Sequence, residues 1–275
     1  MAGELAVAIA RSARLAEPPT VVCAGRTDAG VHAVGQVAHV DLPATYEGDL
    51  ARAVNRQLSP QIVVRAAVPV PLDFDARRSA TSRHYRYLVW SSPVPNPLVA
   101  GLAWHVPEPL DLKAMASASD PLLGEHDFRA FCRRAPDRPP TEPIVRRVTR
   151  ARWRAVPATA DWAEAVPPAP PAPPAPPAPP APPAPPAPPA LLRFDVVAGS
   201  FCHQMVRSIV AVLVDAGRGR ATAATVMALL AAGVRAGSPR PAPAHGLCLV
   251  GVGYGDGAGD GAGDGVGGGE RGGRA

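Results

Sequence analysis

The sequence predicts an α+β protein of two lobes, each with a few strands backed by helices. Apolar residues recur at both helical and strand spacing, and the two kinds of segment are interleaved without the regular rhythm of a doubly wound sheet. The pattern then starts again after Pro107. We therefore expect an N-terminal lobe over residues 1–106 and a C-terminal lobe over residues 107–254.

Each element follows from local periodicity and composition. In the N-terminal lobe, these signals predict helices over 3–15 and 48–58 and strands over 20–25, 35–42, 62–70 and 83–91. In the C-terminal lobe, they predict helices over 110–123, 203–216 and 221–232 and strands over 144–155, 191–199 and 246–254.

Two low-complexity segments cannot bury enough apolar surface to offset the entropy of ordering them. Residues 167–190 repeat Pro-Pro-Ala, which is typical of an exposed polyproline-type loop. Because this run falls between two predicted strands, we interpret it as an oversized hairpin loop inserted into the C-terminal lobe. Residues 255–275 are nearly all Gly, Asp and Ala, and we expect a disordered tail.

Basic residues are concentrated in two groups, although the formal net charge is only +5. The larger group spans 26 residues and contains Arg129, Arg133, Arg134, Arg138, Arg146, Arg147, Arg150, Arg152 and Arg154. The smaller group contains Arg77, Arg78, Arg83 and Arg86. Such clustering indicates either a solvated basic face or a polyanionic partner, and the sequence leaves both interpretations open.

The cysteines and the N-terminal segment indicate the cellular compartment of the protein. The four cysteines are widely separated and form no CxxC pair, which argues against a zinc site and predicts buried, reduced thiols. The N-terminal "MAGELAVAIARSARL" has an early glutamate and too short an apolar run for a signal peptide, and no stretch reaches transmembrane length. We expect a cytoplasmic protein without membrane association.

The stretch "AGRTDAGVHA", residues 24–33, places a guanidinium and a carboxylate directly after a predicted strand. Arg26 and Asp28 would then lie at a sheet edge, where a cleft between lobes would open. Alternatively, Asp28 forms an Asx-turn with its own backbone, Gly30 supplies a positive φ and Arg26 pairs locally. The spacing alone does not choose between a functional site and a turn.

Five segments, in this order along the chain, resemble the tRNA pseudouridine synthase A family. They are "AGRTDAGVHAVGQVAHV" (24–40), "FDARRSATSRHYRYLVW" (74–90), "LLGEHDFRAF" (122–131), "FCHQMVRSIV" (201–210) and "HGLCLVGVGY" (245–254). Any one segment would be a weak signal, but five collinear segments make chance similarity improbable. The resemblance implies the pseudouridine synthase fold, with largely antiparallel sheets and an active-site cleft between the lobes.

The resemblance also implies roles for individual residues. Asp28 matches the catalytic aspartate, as nucleophile or base, and Arg26 beside it helps to hold the target nucleotide out of the stack. Tyr85 matches a tyrosine that stacks on the uracil and handles the C5 proton. Arg207 matches the ion-pair partner of the catalytic aspartate, and Leu247 matches a leucine that packs against the base.

Two of these residues have ordinary structural alternatives. Arg207 falls in a predicted helix that is apolar around most of its circumference, so its guanidinium needs a buried partner, which could instead be Asp215. Tyr85 and Tyr87 flank Arg86 in a predicted strand, so both could be ordinary core aromatics.

The activity implied by the resemblance is that of an isomerase, an intramolecular transferase. It converts uridine to pseudouridine at positions 38, 39 and 40 in the anticodon stem and loop of tRNAs, and the family acts as a homodimer. The reaction involves no redox change or net hydrolysis, so neither cofactor nor metal is expected. Arg133 and Arg134 are expected to contact phosphates of the tRNA. The alternative is a catalytically inactive tRNA-binding or folding protein of the same fold.

The N-terminus departs from the family pattern. Family members carry a strand with a "YDG...F.GWQ.Q"-like segment before the first helix, whereas this chain starts at "GELAVAIARSARL" within that helix. A missing strand would leave an unpaired sheet edge. Either the start codon is assigned too late or the product is truncated and inactive. Because the catalytic segments are intact, we favour the first interpretation.

Overall fold

The computed structural model describes residues 1–133, 139, 141–156, 190–233 and 240–255. The first half of the chain forms α1 (Ala2–Ala13), β1 (Val22–Cys23), β2 (His32–Ala33), β3 (Ala38–His39), α2 (Leu50–Leu58), β4 (Ala80–Ser91) and β5 (Trp104–Val106). The second half forms α3 (Leu112–Ser119), β6 (Gly124–Asp127), β7 (Val145–Val156), β8 (Ala190–Ala198), α4 (Met205–Gly217), α5 (Ala223–Ala232) and β9 (Leu247–Tyr254). Short 3-10 turns cover Asp120–Leu122, Arg129–Phe131 and Ala244–Gly246.

A seven-stranded sheet joins strands from both halves of the chain. Its order is β2-β9-β4-β8-β7-β6, and β5 pairs with one end of β4. The long pairings of β4 with β8 and β9, and of β7 with β6 and β8, are antiparallel, while the short β2–β9 and β4–β5 pairings are parallel. Strands β1 and β3 form a separate two-stranded sheet. The predicted α+β class with largely antiparallel strands is confirmed.

Strict alternation along β4 gives the central sheet two different faces. Tyr85, Tyr87 and Val89 are buried in the main core, whereas the intervening His84 and Arg86 are only partly buried. Side chains of α3, α4 and α5 cover the first face. Helix α4 carries most of this cover, since eleven of its residues are buried. The active-site tyrosine predicted from the sequence therefore lies on the helix-covered face.

Helices α1 and α2 form a smaller core of their own. Ala8 and Ile9 of α1 pack with Val54 of α2, and partly buried apolar residues of the two helices and of the segments beside β1 and β3 complete the cluster. The side chain of Asp49 caps α2 by accepting from the backbone N–H of Arg52 at 2.9 Å. The division into lobes at residues 106 and 107 stays a prediction.

The predicted strand over 62–70 is wrong, because these residues form no strand. Val68 is 72% exposed and Val63 is 58% exposed, so their β-propensity is not used for burial. The backbone of Val64 bonds instead to the Asn55 side chain, with N to Oδ1 at 2.7 Å and O to Nδ2 at 2.8 Å. An amide side chain thus takes the place of a neighbouring strand. Strands β2, β5 and β6 were not predicted.

Strands β7 and β8 form an antiparallel pair whose register extends to Val156 opposite Leu191. The chain between these two strands carries the Pro-Pro-Ala run, as a hairpin insertion requires. Apart from Ala190, which begins β8, the predicted loop over 167–190 lies outside the described residues, and so does the predicted tail after Gly255. No helix within the described ranges is long and apolar enough to cross a membrane.

The expectation of four reduced thiols is wrong for two of them. Cys132 and Cys202 form a disulfide, with a Cα–Cα distance of 5.7 Å. The chain brings them together because the backbone N–H of Arg133 donates to the carbonyl of His203 at 2.8 Å, which aligns the two segments. Cys23 and Cys248 are free and partly buried, and burial raises the pKa of both thiols.

Candidate active site

Asp28 lies in a tight turn after β1. The backbone N–H of Val31 donates to the Asp28 carbonyl at 3.1 Å, and Gly30 has a φ of 82°. A Cβ at Gly30 would also lie 3.3 Å from the Cβ of Ala244, so glycine suits both the conformation and the space. No Asx-turn of Asp28 occurs among the described residues, because its carboxylate points to two side chains from the second half of the chain.

Arg207 is the first of these partners. Its Nη1 donates to Asp28 Oδ2 at 3.1 Å, and its Nε donates to the carbonyl of Ala242 at 2.7 Å. The Ala242 N–H in turn donates to the Arg207 carbonyl at 3.0 Å, so the arginine is anchored on two sides. The predicted alternative partner, Asp215, accepts from Arg218 at 3.3 Å. The structure therefore brings Arg207 to Asp28 and not to Asp215.

The local fold explains why a guanidinium can occupy this position. Arg207 is the third residue of α4, and its side chain is 16% exposed. A carboxylate near the first turn of a helix also interacts favourably with the positive end of the helix dipole. Because most neighbours of Arg207 on α4 are apolar, the Asp28 carboxylate supplies the countercharge that its partial burial requires.

The second partner, His203, was missed by sequence analysis. Its Nε2 lies 3.1 Å from Asp28 Oδ1, and its side chain is 48% exposed. His203 lies in the turn before α4, next to Gln204, which adopts a left-handed backbone with a φ of 64°. The available signal was the spacing in "HQMVR", where a histidine precedes Arg207 by four residues.

Tyr85 lies on β4 near the loop that carries Asp28. It is 8% exposed, and its ring makes an edge contact with Phe201 at a centroid distance of 5.2 Å. A methyl group at Gly25 would lie 3.6 Å from its hydroxyl oxygen, which places the hydroxyl beside the start of the loop. Burial raises the pKa of Tyr85, the Asp28 charge raises it further and Arg83 opposes both, so the hydroxyl stays protonated at neutral pH.

Tyr87, two residues further along β4, has a different environment. It is fully buried, and its hydroxyl donates to the carbonyl of Pro243 at 2.7 Å. Burial raises its pKa far above the ordinary value, with Arg207 opposing the shift. A Cβ at Gly246 would come within 2.5 Å of the Tyr87 ring, so glycine lets the Ala244–Gly246 turn pack on the tyrosine. Tyr87 is a core residue with a satisfied hydroxyl.

Leu247, predicted to pack against the base, begins β9 directly after that turn and is 6% exposed. It lies opposite Tyr87 in the β4–β9 register.

Arg26 is exposed, and no hydrogen bond or ion pair of its side chain occurs among the described residues, so the structure does not pair it with Asp28. Arg133 is exposed beside the His203 backbone, and Arg134 lies outside the described residues.

Arg83, one of the clustered arginines, has a structural part in building the site. It is 8% exposed and donates to four backbone carbonyls, those of Ala24 at 3.1 Å, Arg77 at 2.6 Å, Ala80 at 3.0 Å and Gly199 at 2.6 Å. Ala24 leads into the Asp28 loop, and Gly199 leads into the turn that carries His203. One guanidinium thus joins the two chain segments that form the site, and Arg83 does not belong to an exposed basic face.

A basic surface depression of about 750 Å³ lies beside Arg83. Arg77, Arg78 and Arg83 line it together with Val22 of β1 and the Gly199–Ser200 segment. Arg77 and Arg78 are exposed, and their backbone N–H groups donate to Asp75 Oδ1 at 2.8 and 2.7 Å. Within the ranges that the structure describes, no group of three or more His, Cys, Asp or Glu side chains could hold a metal ion.

Comparison with known proteins gives the family of this chain. Residues 118–255 match the family model described as tRNA pseudouridine synthase. The chain is 39% identical to the tRNA pseudouridine synthase A of Frankia casuarinae, over 92% of this chain and 80% of that protein. It is 38% identical to the protein of the same name from Syntrophotalea carbinolica, over 86% of this chain and 81% of that protein. The chain is also 38% identical to the protein of that name from Methylobacterium radiotolerans, over 86% of this chain and 83% of that protein. The chain therefore belongs to the tRNA pseudouridine synthase A family.

Proposed function

We propose that this protein isomerises uridine to pseudouridine in the anticodon arm of tRNA, with Asp28 as the reacting carboxylate. The observation that carries the proposal is the placement of Asp28. One of its oxygens is held by the anchored Arg207, and the carboxylate is 27% exposed beside the protonated Tyr85. The site therefore offers a negative oxygen that a ribose can reach.

The chemistry requires one bond to break and another to form on the same base. The N1–C1′ glycosidic bond breaks, the uracil turns while it stays bound, C5 joins C1′, the C5 hydrogen leaves as a proton and N1 takes up a proton. An ionised carboxylate serves this sequence either as a nucleophile at C1′ or as a base toward the ribose. In both routes Arg207 balances the charge of the carboxylate while the nucleotide excludes water from it.

Access to the glycosidic bond requires the nucleotide to leave its stack, which costs a few kcal/mol. Contacts from arginine to phosphate offset such a cost without reading the base sequence. The exposed Arg26 lies two residues from Asp28, and Arg77 and Arg78 border the nearby basic depression. We assign Arg26 to holding the extruded nucleotide, Leu247 to packing against its base, and Arg133 and Arg134 to the tRNA backbone.

The finer features of the proposal follow from the family and its substrate. We infer uridines 38, 39 and 40 as targets, a homodimer as the working form and the cytoplasm as the compartment. The reaction balances without an external oxidant, reductant or water molecule, so turnover needs no added cofactor.

Release of tritium from tRNA labelled at uracil C5 tests the proposal directly. Because C5 exchanges its hydrogen for the bond to C1′, the protein in chelator should release tritium into water, and new pseudouridine should map to the anticodon arm. Modification only at uridines elsewhere would disprove the substrate assignment. Binding of tRNA without any tritium release would instead identify an inactive binding protein.

A further inference from the structure

We propose that His203 is a positioning residue for Asp28, which holds Oδ1 of the carboxylate in the plane needed for reaction. This inference rests on the proposed function. It starts from the observation that each oxygen of Asp28 has its own partner, with Arg207 Nη1 at 3.1 Å from Oδ2 and His203 Nε2 at 3.1 Å from Oδ1.

A single contact would not fix the carboxylate. The terminal torsion of an aspartate side chain is broad, so a carboxylate held at one oxygen can still rotate about the Cβ–Cγ bond. Contacts at both oxygens remove this freedom and define where the remaining lone pairs point. Each carboxylate oxygen has about two acceptor positions, so Oδ1 can still accept from a substrate while the His203 ring lies 3.1 Å away on one side.

The two contacts differ in exposure, and this difference indicates the side from which the nucleotide arrives. Arg207 is 16% exposed and tied to the Ala242 carbonyl, so the Oδ2 side is closed by α4 and its neighbours. His203 is 48% exposed, so the Oδ1 side is open to solvent. Oδ1 is therefore the oxygen that faces the ribose.

The backbone holds His203 in place although its side chain is exposed. Its carbonyl accepts from the Arg133 N–H at 2.8 Å, its neighbour Cys202 is bonded to Cys132, and Gln204 on the other side begins α4. An imidazole on so constrained a backbone loses little further freedom when it contacts Asp28. This is the arrangement expected of a residue that orients another side chain.

The test compares His203→Ala and His203→Gln with the wild type, in single turnovers at saturating enzyme with C5-tritiated tRNA. A displaced reacting group typically costs about 100-fold in rate, so we expect His203→Ala to lower the rate about 10- to 100-fold. A glutamine amide can donate to Oδ1 in place of the imidazole, so His203→Gln should recover most of the loss. The tRNA dissociation constant and the melting temperature should stay close to those of the wild type in both variants.

His126→Ala is the matched control, since within the described ranges the only hydrogen bond of the His126 ring is to the Leu123 carbonyl, at 2.7 Å. A wild-type rate in His203→Ala would overturn the inference and leave the proposed function intact. A glutamine variant no faster than the alanine variant, or losses of affinity and melting temperature that account for the slower rate, would also overturn it. Absence of turnover in the wild-type protein itself would overturn the proposed function and this inference together.

Discussion

Asp28 and Asp195 are both held by a histidine and by arginine, but they lie on opposite faces of the central sheet. Asp28 pairs with Arg207 of α4, on the face that the helices cover. Asp195 pairs with His84 and Arg86, which alternate with the buried tyrosines of β4 and so point the other way. The same residue types thus form two sites whose surroundings differ.

The difference lies in how completely each carboxylate is occupied. Asp195 Oδ1 accepts from His84 at 2.9 Å, from Arg86 at 3.3 Å and from Arg193 at 2.9 Å, and Oδ2 lies 2.6 Å from Arg193 Nε. Its side chain is 10% exposed, against 27% for Asp28, which has one contact on each oxygen. A carboxylate with several charged partners and little exposure holds strands together, whereas a more exposed carboxylate with one contact on each oxygen is open to a substrate.

The largest expected effect is on the reaction and comes from Asp28→Asn. This change keeps the shape of the side chain and removes its charge, so the single-turnover rate should fall about 10⁴-fold or more. The tRNA dissociation constant should change little, because arginine contacts to phosphate provide most of the affinity. A near-normal rate at saturating enzyme would mean that Asp28 is only a turn residue and takes no part in the reaction.

The complementary change, Asp195→Asn, should affect stability and not chemistry. Removing the charge leaves three arginines and His84 around a neutral amide, and loss of one partner of a buried ion pair costs about 3 kcal/mol. Urea denaturation should show this loss in the free energy of unfolding, while the single-turnover rate of the folded variant stays within about twofold. An unchanged urea midpoint would show that the network contributes nothing to stability.

Acid should remove the same stabilisation from the wild type. Burial raises the pKa of Asp195, but hydrogen bonds from His84 and Arg193 and the charges of Arg193 and Arg86 outweigh it, so the net pKa is well below the ordinary value. The unfolded chain therefore binds a proton first, and the stabilisation, complete above about pH 4, is lost as the pH falls toward the lowered pKa. The difference in unfolding free energy between wild type and Asp195→Asn should shrink across this range, and a constant difference would contradict the assignment.

A smaller effect, on binding alone, is expected from replacing Arg133, Arg134 and Arg138 together by alanine. Each arginine–phosphate interaction removed should flatten the slope of log affinity against log salt by about one unit, so the triple variant should lose up to about three units while the rate at saturating enzyme is retained. Arg11→Ala, on an exposed position of α1, is the matched control. Equal affinity of the triple variant and the control would exclude these arginines from the tRNA interface.

The smallest effect is expected where β7 ends and β8 begins. Replacing residues 157–190 by Asn-Gly would close a tight hairpin directly on the Val156–Leu191 pair. The entropy cost of closing a loop grows only slowly with its length, so cooperative melting and tRNA modification should both persist when the segment is shortened. Loss of the cooperative transition would show that the inserted segment supports the fold.

Local sequence signals predicted the long elements and the two sides of the site. Helices α1, α2 and α4 and strands β4, β7, β8 and β9 were found close to their observed bounds, because their periodicity is contained in their own residues. Strands β2, β5 and β6, of two to four residues, owe their existence to the strands beside them. The residues of these three strands alone therefore do not predict them.

The site shows the same limit. Asp28 and Arg207 were named because each falls in a segment that resembles the family, and the structure shows that they touch. His203 stands in one of those segments too, but a half-exposed histidine in a turn has no pattern of its own, and its contact depends on the relative placement of two distant loops. The Cys132–Cys202 bond was missed for the same reason.

The four carbonyl bonds of Arg83 have a consequence for motion in the site. The strand that leads to Asp28 and the segment that leads to His203 and Arg207 depart from the same guanidinium, although most of the chain separates them. A displacement of either segment strains bonds to the other, so we expect the two segments that form the site to move together. A lysine ammonium has only three donor hydrogens, all on one atom, so it could not bond all four carbonyls.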